Sequence, residues 1–253
     1  MIHVGALPGT PAATRNIASL TKTAVAEARL YLEHGFDGLL IENMHDLPYL
    51  RGTVGPEITA SLAIIAHTVK SKVKLPIGLQ ILAAANTEAL AVAHAAGLNF
   101  IRAEGFAFAH VADEGIIEAC AGPLLRYRKQ IGAEAVQVWA DVKKKHSAHA
   151  ITADVSLGEI AEAVEFMRGD AVIVTGTVTG APPTARDVTD AKTQGRLPVM
   201  LGSGINANNL AEFYAVADGF IIGSACKVEG HWRNPLDPAR VAGLARAVKH
   251  LRA

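Results

Sequence analysis

Cysteine is nearly absent. Cys120 and Cys226 are the only two in 253 residues, too few and too far apart for a disulfide framework or a thiolate metal cluster. They fit two small buried side chains in a reduced protein. Neither sign of charge is in excess, because 24 basic residues balance 24 acidic ones. Binding nucleic acid without regard to sequence takes a basic surplus, so that class of partner is excluded. Aromatic residues are scarce at 5%, and no aromatic platform favours a flavin. Long apolar runs are missing too. Leu75 to Thr87 is free of charge but is interrupted by Pro76, Gln80 and Asn86. It falls short of the roughly 20 residues that cross a bilayer, so no transmembrane segment is expected. No basic segment followed by an apolar stretch surrounds Ile2-His3-Val4, which argues against a signal peptide and predicts a cytoplasmic protein.

What the chain does have is a regular alternation of short apolar runs and amphipathic segments. The runs are Ile2 to Val4, Gly38 to Ile41, Ile77 to Ile81, Phe100 to Arg102, Val136 to Ala140, Ala171 to Val174, Pro198 to Leu201 and Gly219 to Ile222. Each is short and unbroken, as strands covered on both faces should be. Between them, Ile17, Leu20, Ala24, Ala28 and Leu32 mark one helical face, and Ile58, Leu62, Ile65 and Val69 another. Asn86 and Gly97 read as the start and stop of a third helix. Ser156 and Glu159 form a capping box, and Asp237-Pro238 opens the last helix.

Eight strands with intervening helices give either a barrel or an open doubly wound sheet. A repeat of about 30 residues and the total length favour a single α/β domain over residues 1–253, a (β/α)8 TIM barrel of the phosphate-binding type. The segment Gly5-Ala6-Leu7-Pro8-Gly9 after the first strand lacks the G-x-G-x-x-G of a dinucleotide fold.

In such a barrel, phosphate is often held by the loops after strands 7 and 8. Here those loops are Gly202-Ser203-Gly204 and Gly223-Ser224-Ala225. Small residues let backbone N–H groups approach an anion closely. A tight turn without a ligand would explain one such loop, but two on adjacent strands favour phosphate. Asn206 is expected to lie at the start of the seventh helix.

Polar residues punctuate the other strand ends. Glu42 and Asn43 follow strand 2, Arg102 and Glu104 strand 4, Asp141 strand 5, and Thr175 and Gly176 strand 6. Carboxylates at several strand ends, with Lys143, Lys145 and His146 close by, suit proton abstraction and return. A divalent metal such as Mg2+ on Glu42 and Asp141 is the alternative use of those carboxylates. Each also has a plain reading as an ion-pair partner. Lys144 is read as solvated, and no H-E-x-x-H pattern marks a zinc site.

Certain segments carry a resemblance. His3-Val4-Gly5-Ala6-Leu7-Pro8-Gly9-Thr10-Pro11, Glu42-Asn43 with Asp46-Leu47-Pro48-Tyr49, Asp141-Val142-Lys143-Lys144-Lys145-His146 and Thr175 to Gly180 all match one pattern. Gly202-Ser203-Gly204 and Gly223-Ser224-Ala225-Cys226-Lys227 complete it. Together they resemble the BtpA family over essentially the whole chain. The resemblance implies a barrel related to phosphate-binding enzymes such as those of tryptophan biosynthesis. The family takes its name from accumulation of photosystem I proteins, with a peripheral thylakoid location, yet a relative lies in a putative carbohydrate-utilisation gene cluster. Two segments depart from the pattern. The family's N-V-L-R-N is replaced by Gln80 to Asn86, and its R-V-N by Arg102-Ala103-Glu104. A strand-end arginine is lost and a carboxylate gained, so the substrate need not be shared.

The leading expectation is an enzyme that binds a phosphorylated small metabolite, such as a sugar phosphate, and performs isomerase, epimerase or lyase chemistry. Glu42, Asp141, Glu104, Lys143, Lys145 and His146 are the catalytic candidates. Gly202, Ser203, Gly204, Gly223, Ser224, Ala225, Thr175, Gly176, Arg102 and Asn43 are the ligand-binding ones. The alternatives are a non-catalytic assembly factor docked at a membrane surface and a ligand sensor without catalysis. Barrels of this kind often pair, so a homo-oligomer is expected.

Overall fold

The computed structural model describes residues 1–176 and 182–252. They form two compact units, one of residues 1–102 and 123–137, the other of residues 103–122 and 138 onward.

The first unit holds β1 (Ile2–His3), β2 (Leu39–Glu42), β3 (Ile77–Gln80) and β4 (Phe100–Ala103), parallel and neighbouring in that order. Between them run α1 (Ile17–Glu33), α2 (Pro56–Lys72) and α3 (Asn86–Ala96), and most of α4 (Ala121–Gln130) follows. Every residue of the four strands is buried, which is why they read as unbroken apolar runs rather than alternating ones. On α1 the buried face is Leu20, Ala24, Ala28 and Tyr31, while Leu32 is exposed. The last step of that face is three residues rather than four. It lets the Tyr31 hydroxyl donate to Met1 O at 3.0 Å and the ring meet Phe36 edge-on. Asn86 does not cap α3 but lies buried inside its first turn, after Ala85 at the cap. Gly97 ends that helix with φ +68°, as a stop glycine should.

The second unit begins with a hairpin that the sequence pattern did not suggest, β5 (His110–Ala112) and β6 (Gly115–Ile117). Then come β7 (Gln137–Val142) and β8 (Ser147–Ala148), which pairs antiparallel with β5. The strands β7, β9 (Ala171–Val174), β10 (Val199–Leu201) and β11 (Gly219–Phe220) are parallel neighbours in that order. Their helices are α5 (Leu157–Phe166), α6 (Ala185–Gln194), α7 (Leu210–Tyr214) and α8 (Pro238–Arg252). The Ser156/Glu159 capping box is present, and Thr184 with Asp187 makes a second one before α6. Helix α7 starts later than expected, because Asn206 and Asn209 hold a turn first. Asn206 N donates to Asn209 Oδ1 and Asn208 N to Asn206 Oδ1, both at 2.9 Å. Cys226 is buried, but Cys120 is only half-buried.

Eight parallel strands in chain order, each followed by a helix, are the inventory of a (β/α)8 barrel. The first unit has little slack. A Cβ built on Gly78 would lie 2.1 Å from the Phe100 ring, which is itself buried. Gly78→Ala is therefore expected to destabilise the protein by about 1–3 kcal/mol in urea unfolding. An unchanged midpoint would show that the Phe100 ring can move aside.

Candidate active site

In the first unit the strand register aligns three polar residues in one row, His3 on β1, Glu42 on β2 and Gln80 on β3. All three are buried. His3 Nε2 stands 3.5 Å from Glu42 Oε2, an arrangement in which a proton can be shared. The loop after β2 is fixed by its own side chains. Asp46 Oδ1 accepts from Leu7 N at 2.8 Å, and Oδ2 accepts from Asn43 Nδ2 at 2.9 Å. Asn43 Oδ1 in turn accepts from Leu82 N at 2.8 Å. Two side chains thus tie together the loops that follow β1, β2 and β3. Burial raises the pKa of Asp46 above its ordinary value, while the bonds from Leu7 and Asn43 pull the other way. Asn43, a candidate substrate ligand, has its amide engaged in this loop framework. Arg102 is buried at the end of β4.

The second unit carries a narrow, partly open cleft lined by His110, Asp141, Lys143, Lys144 and His149 among others. Lys144 is not solvated, as its place in a lysine run suggested. Its side chain is 10% exposed, and Nζ lies 3.3 Å from Oε2 of Glu104, which is 2% exposed. The cause is in the backbone. Lys143 has φ +47° and His146 φ +54°. Two left-handed residues bend the chain out of strand geometry on either side of Lys144 and Lys145. The Lys144 carbonyl accepts from His149 Nε2 at 2.9 Å, and the His149 ring centre lies 5.6 Å from that of His110.

His110, on β5, is a residue that sequence reasoning missed. It is 6% exposed and its Nε2 is buried, with no hydrogen-bond partner among the described residues. Its pKa is lowered to about 4, first by burial, then by the Lys144 and His149 charges, with Asp141 opposing. The hairpin could have been found from Val111 and Ala112, the polar pair Asp113-Glu114, and Gly115. His146 is exposed; partial desolvation and the Lys145 charge lower its pKa. It stands three residues from His149. Even so, no group of three or more His, Cys, Asp or Glu among the described residues is arranged to hold a metal.

Hydrogen bonds lead from this cleft to the small-residue loops. Lys145 N donates to Thr175 Oγ1 at 3.1 Å, and Gly176 N donates to Ser203 Oγ at 2.9 Å. Gly202 continues the sheet, its N donating to Val174 O, while Gly204 takes φ +72° and its carbonyl accepts from Asn209 Nδ2. After β11, Gly223 enters a short 3-10 turn over Ser224–Cys226. The opening N–H groups of such a turn have no partner within it. Lys227, next in the chain, is a cation only 2% exposed, and sequence reasoning gave it no role. Residues 177–180 of the motif that begins at Thr175 lie outside the described residues.

With this geometry established, comparison with known proteins is informative. The BtpA family model matches residues 1–250. An uncharacterized mitochondrial protein of Caenorhabditis elegans is 47% identical, the match covering 100% of this chain and 92% of the relative. An uncharacterized Pyrococcus abyssi protein is 34% identical over 100% of this chain and 95% of its own length. The photosystem I biogenesis protein BtpA of Synechocystis is 29% identical, covering 98% and 86%. Among solved structures, thiamine phosphate pyrophosphorylase from Pyrococcus furiosus matches with TM-score 0.59 at 15% identity, over 90% of this chain and 91% of that one. Phosphoribosyl anthranilate isomerase from Thermus thermophilus gives 0.59 at 16% identity, over 90% and 95%. These likenesses show the fold, a (β/α)8 TIM barrel.

Two measurements follow from the cleft. A histidine whose folded pKa lies near 4 rather than 6.5 resists protonation in the folded state. The unfolded chain takes that proton first. The His110 contribution is therefore intact above pH 6.5 and is lost as pH falls towards 4. Urea unfolding of the wild type should lose roughly 2–3 kcal/mol to this residue between those limits. His110→Gln should show a flatter profile, and equal slopes would refute the assignment. Separately, Lys144→Met leaves the Glu104 carboxylate buried without this ammonium, at a cost of about 3 kcal/mol. Adding Glu104→Gln should restore part of that loss in a double-mutant cycle, whereas strict additivity would show that the two groups do not interact.

Proposed function

This chain belongs to the BtpA family, and we propose that it is an enzyme acting on a phosphorylated small metabolite, such as a sugar phosphate, by acid–base chemistry. The reaction class is isomerase, epimerase or lyase. The observation that carries the reading is the cleft of the second unit, lined by buried Asp141 and His110 and by Lys144, whose ammonium pairs with buried Glu104. Burying ionisable groups is costly, and a cleft that gathers several of them is where their chemistry is used.

Asp141 is the proposed general base, standing on β7 beside the cleft. The Lys144–Glu104 pair sets the charge around it, and Lys143 lines the same cleft. The phosphate goes to the loops Gly202–Gly204 and Gly223–Ala225, with Gly176 bonded to Ser203 of the first and Thr175 beside it accepting from Lys145 N. A phosphate held away from the reacting carbon supplies binding energy that positions that carbon. Glu42, against His3, is an acid–base candidate of the first unit in its own right, and Lys145 and His146 are supporting candidates in the second. Two fold neighbours, a thiamine phosphate pyrophosphorylase and a phosphoribosyl anthranilate isomerase, carry names that agree with a phosphorylated ligand.

A second reading, an assembly factor, is suggested by the name of the Synechocystis relative, a photosystem I biogenesis protein. One observation favours it. Phe166, at the end of α5, is 86% exposed, and Val111, Ile116 and Ile151 are exposed as well. No helix among the described residues is long and apolar enough to cross a membrane.

Calorimetry with inorganic phosphate and with ribose 5-phosphate tests the enzyme reading. Both should bind the wild type. Ser224→Asp, which places a carboxylate where the anion would sit, should weaken both by at least about tenfold while the unfolding midpoint stays close to wild type. Undiminished binding in that variant would move the phosphate site elsewhere. Failure of either ligand to bind the wild type would favour the assembly factor.

A further inference from the structure

We infer that His110 touches the substrate: its Nε2–H hydrogen-bonds a substrate oxygen that gains negative charge while Asp141 takes a proton from the adjacent carbon. The inference rests on the phosphorylated-ligand reading above and narrows it to one chemistry, enolisation of a phosphorylated carbonyl compound.

The first ground is an unsatisfied atom. His110 is buried on β5, it lines the cleft, and Nε2 has no hydrogen-bond partner among the described residues. A histidine kept for packing alone would satisfy both ring nitrogens or be replaced by an apolar residue, because an orphaned buried donor costs about 1–3 kcal/mol. A ligand oxygen in the cleft removes that cost.

The second ground is the company His110 keeps. The cleft also holds the Asp141 carboxylate, the Lys143 and Lys144 ammonium groups and the His149 imidazole. Lys144 pairs with Glu104, and His149 Nε2 donates to the Lys144 carbonyl. Asp141 and His110 are the acid–base pair that lines the cavity alongside them. Burial, and after it the Lys144 charge, lowers the His110 pKa to about 4 and keeps the ring unprotonated above that. An unprotonated imidazole still donates from its N–H, and it stabilises a developing oxyanion without first drawing a proton from solution.

The step balances. The C–H bond next to the carbonyl breaks, its proton passing to the Asp141 carboxylate. The electron pair forms the C=C bond as the carbonyl π pair moves to oxygen, and His110 stabilises the resulting enolate oxygen. The substrate carries a hydroxyl on the carbon that loses the proton: as the Asp141 proton returns to the former carbonyl carbon, that hydroxyl's proton passes to the enolate oxygen and its C–O bond becomes the new carbonyl, which completes an isomerisation. No oxidant or further reactant enters.

The third ground is the support. The hairpin bearing His110 is held from both sides, by β6 and by β8. Phe108, with φ +59°, precedes it, and Lys143 and His146, also left-handed, precede β8. Non-glycine residues in that conformation are costly and persist where the surroundings over-determine them, as they do at binding sites.

Two probes separate this inference from the reading beneath it. Glycerol 3-phosphate offers a phosphate handle without an enolate, whereas 2-phosphoglycolohydroxamate offers the handle plus a planar enediolate mimic. Calorimetry on the wild type should find the hydroxamate bound about 100-fold more tightly than glycerol 3-phosphate. His110→Phe should erase that difference, and His110→Gln should restore part of it. With [15N]histidine-labelled wild type, the His110 Nε2–H resonance should move on adding the hydroxamate and stay in place on adding glycerol 3-phosphate. Equal affinity of the two probes in the wild type would overturn the inference. So would a hydroxamate advantage that survives in His110→Phe, or a resonance that does not move. If neither probe binds the wild type, the phosphorylated-ligand reading itself fails, and the role of His110 falls with it.

Discussion

A lysine side chain that is nine-tenths buried has to find a counter-charge, and Lys144 finds Glu104 3.3 Å away. Much of the second unit is arranged around that requirement. Glu104 follows β4 and opens the excursion that becomes β5 and β6, while Lys144 lies between β7 and β8. Joining the two charges brings together segments 40 residues apart in sequence, and the β5–β8 pairing closes the same junction through the backbone. Breaking a pair of this kind strands a charge out of water, so each partner holds the other in place. The electrostatics of the cleft follow. The Lys144 ammonium contributes, after burial, to keeping the neighbouring His110 ring unprotonated.

The first unit solves a related problem without opposed charges. Asp46 and Asn43 satisfy the backbone amides of Leu7 and Leu82 and one another. A buried amide without a partner is costly, so loops that follow three adjacent strands become one framework. The row of His3, Glu42 and Gln80 then stands on a fixed base. Both units therefore share a division of labour. Apolar strands supply rigidity, and a few polar side chains at their carboxyl ends decide how the loops run.

The elements that were legible in the chain are those whose signal is local. Parallel strands covered on both faces show as unbroken apolar runs, and all eight were visible, although β11 is only half-buried. Capping boxes involve residues three apart, so Ser156 with Glu159 could be read directly. Less was visible where a distant partner decides. Leu32 and Tyr31 are equally plausible members of the α1 face, and Tyr31 wins because Met1 offers its carbonyl. Helix α7 begins late because Asn206 and Asn209 cap a turn with each other instead of opening a helix. The hairpin β5–β6 was missed because three-residue strands carry too little pattern to stand apart from a loop.

By itself the sequence determined the barrel class, since strand and helix periodicity and the repeat length are properties of neighbouring residues. It also determined the positions of the small-residue loops after β10 and β11, because glycine and serine at strand ends are visible one residue at a time. Only the tertiary structure decided which charged residues are withdrawn from water. Lys143, Lys144 and Lys145 are chemically identical and consecutive. Two left-handed residues, Lys143 and His146, together with a carboxylate from another loop, selected Lys144 for burial. His110 carried no motif at all. Its significance comes from burial among charges, and burial is a property of the folded chain rather than of any segment of it.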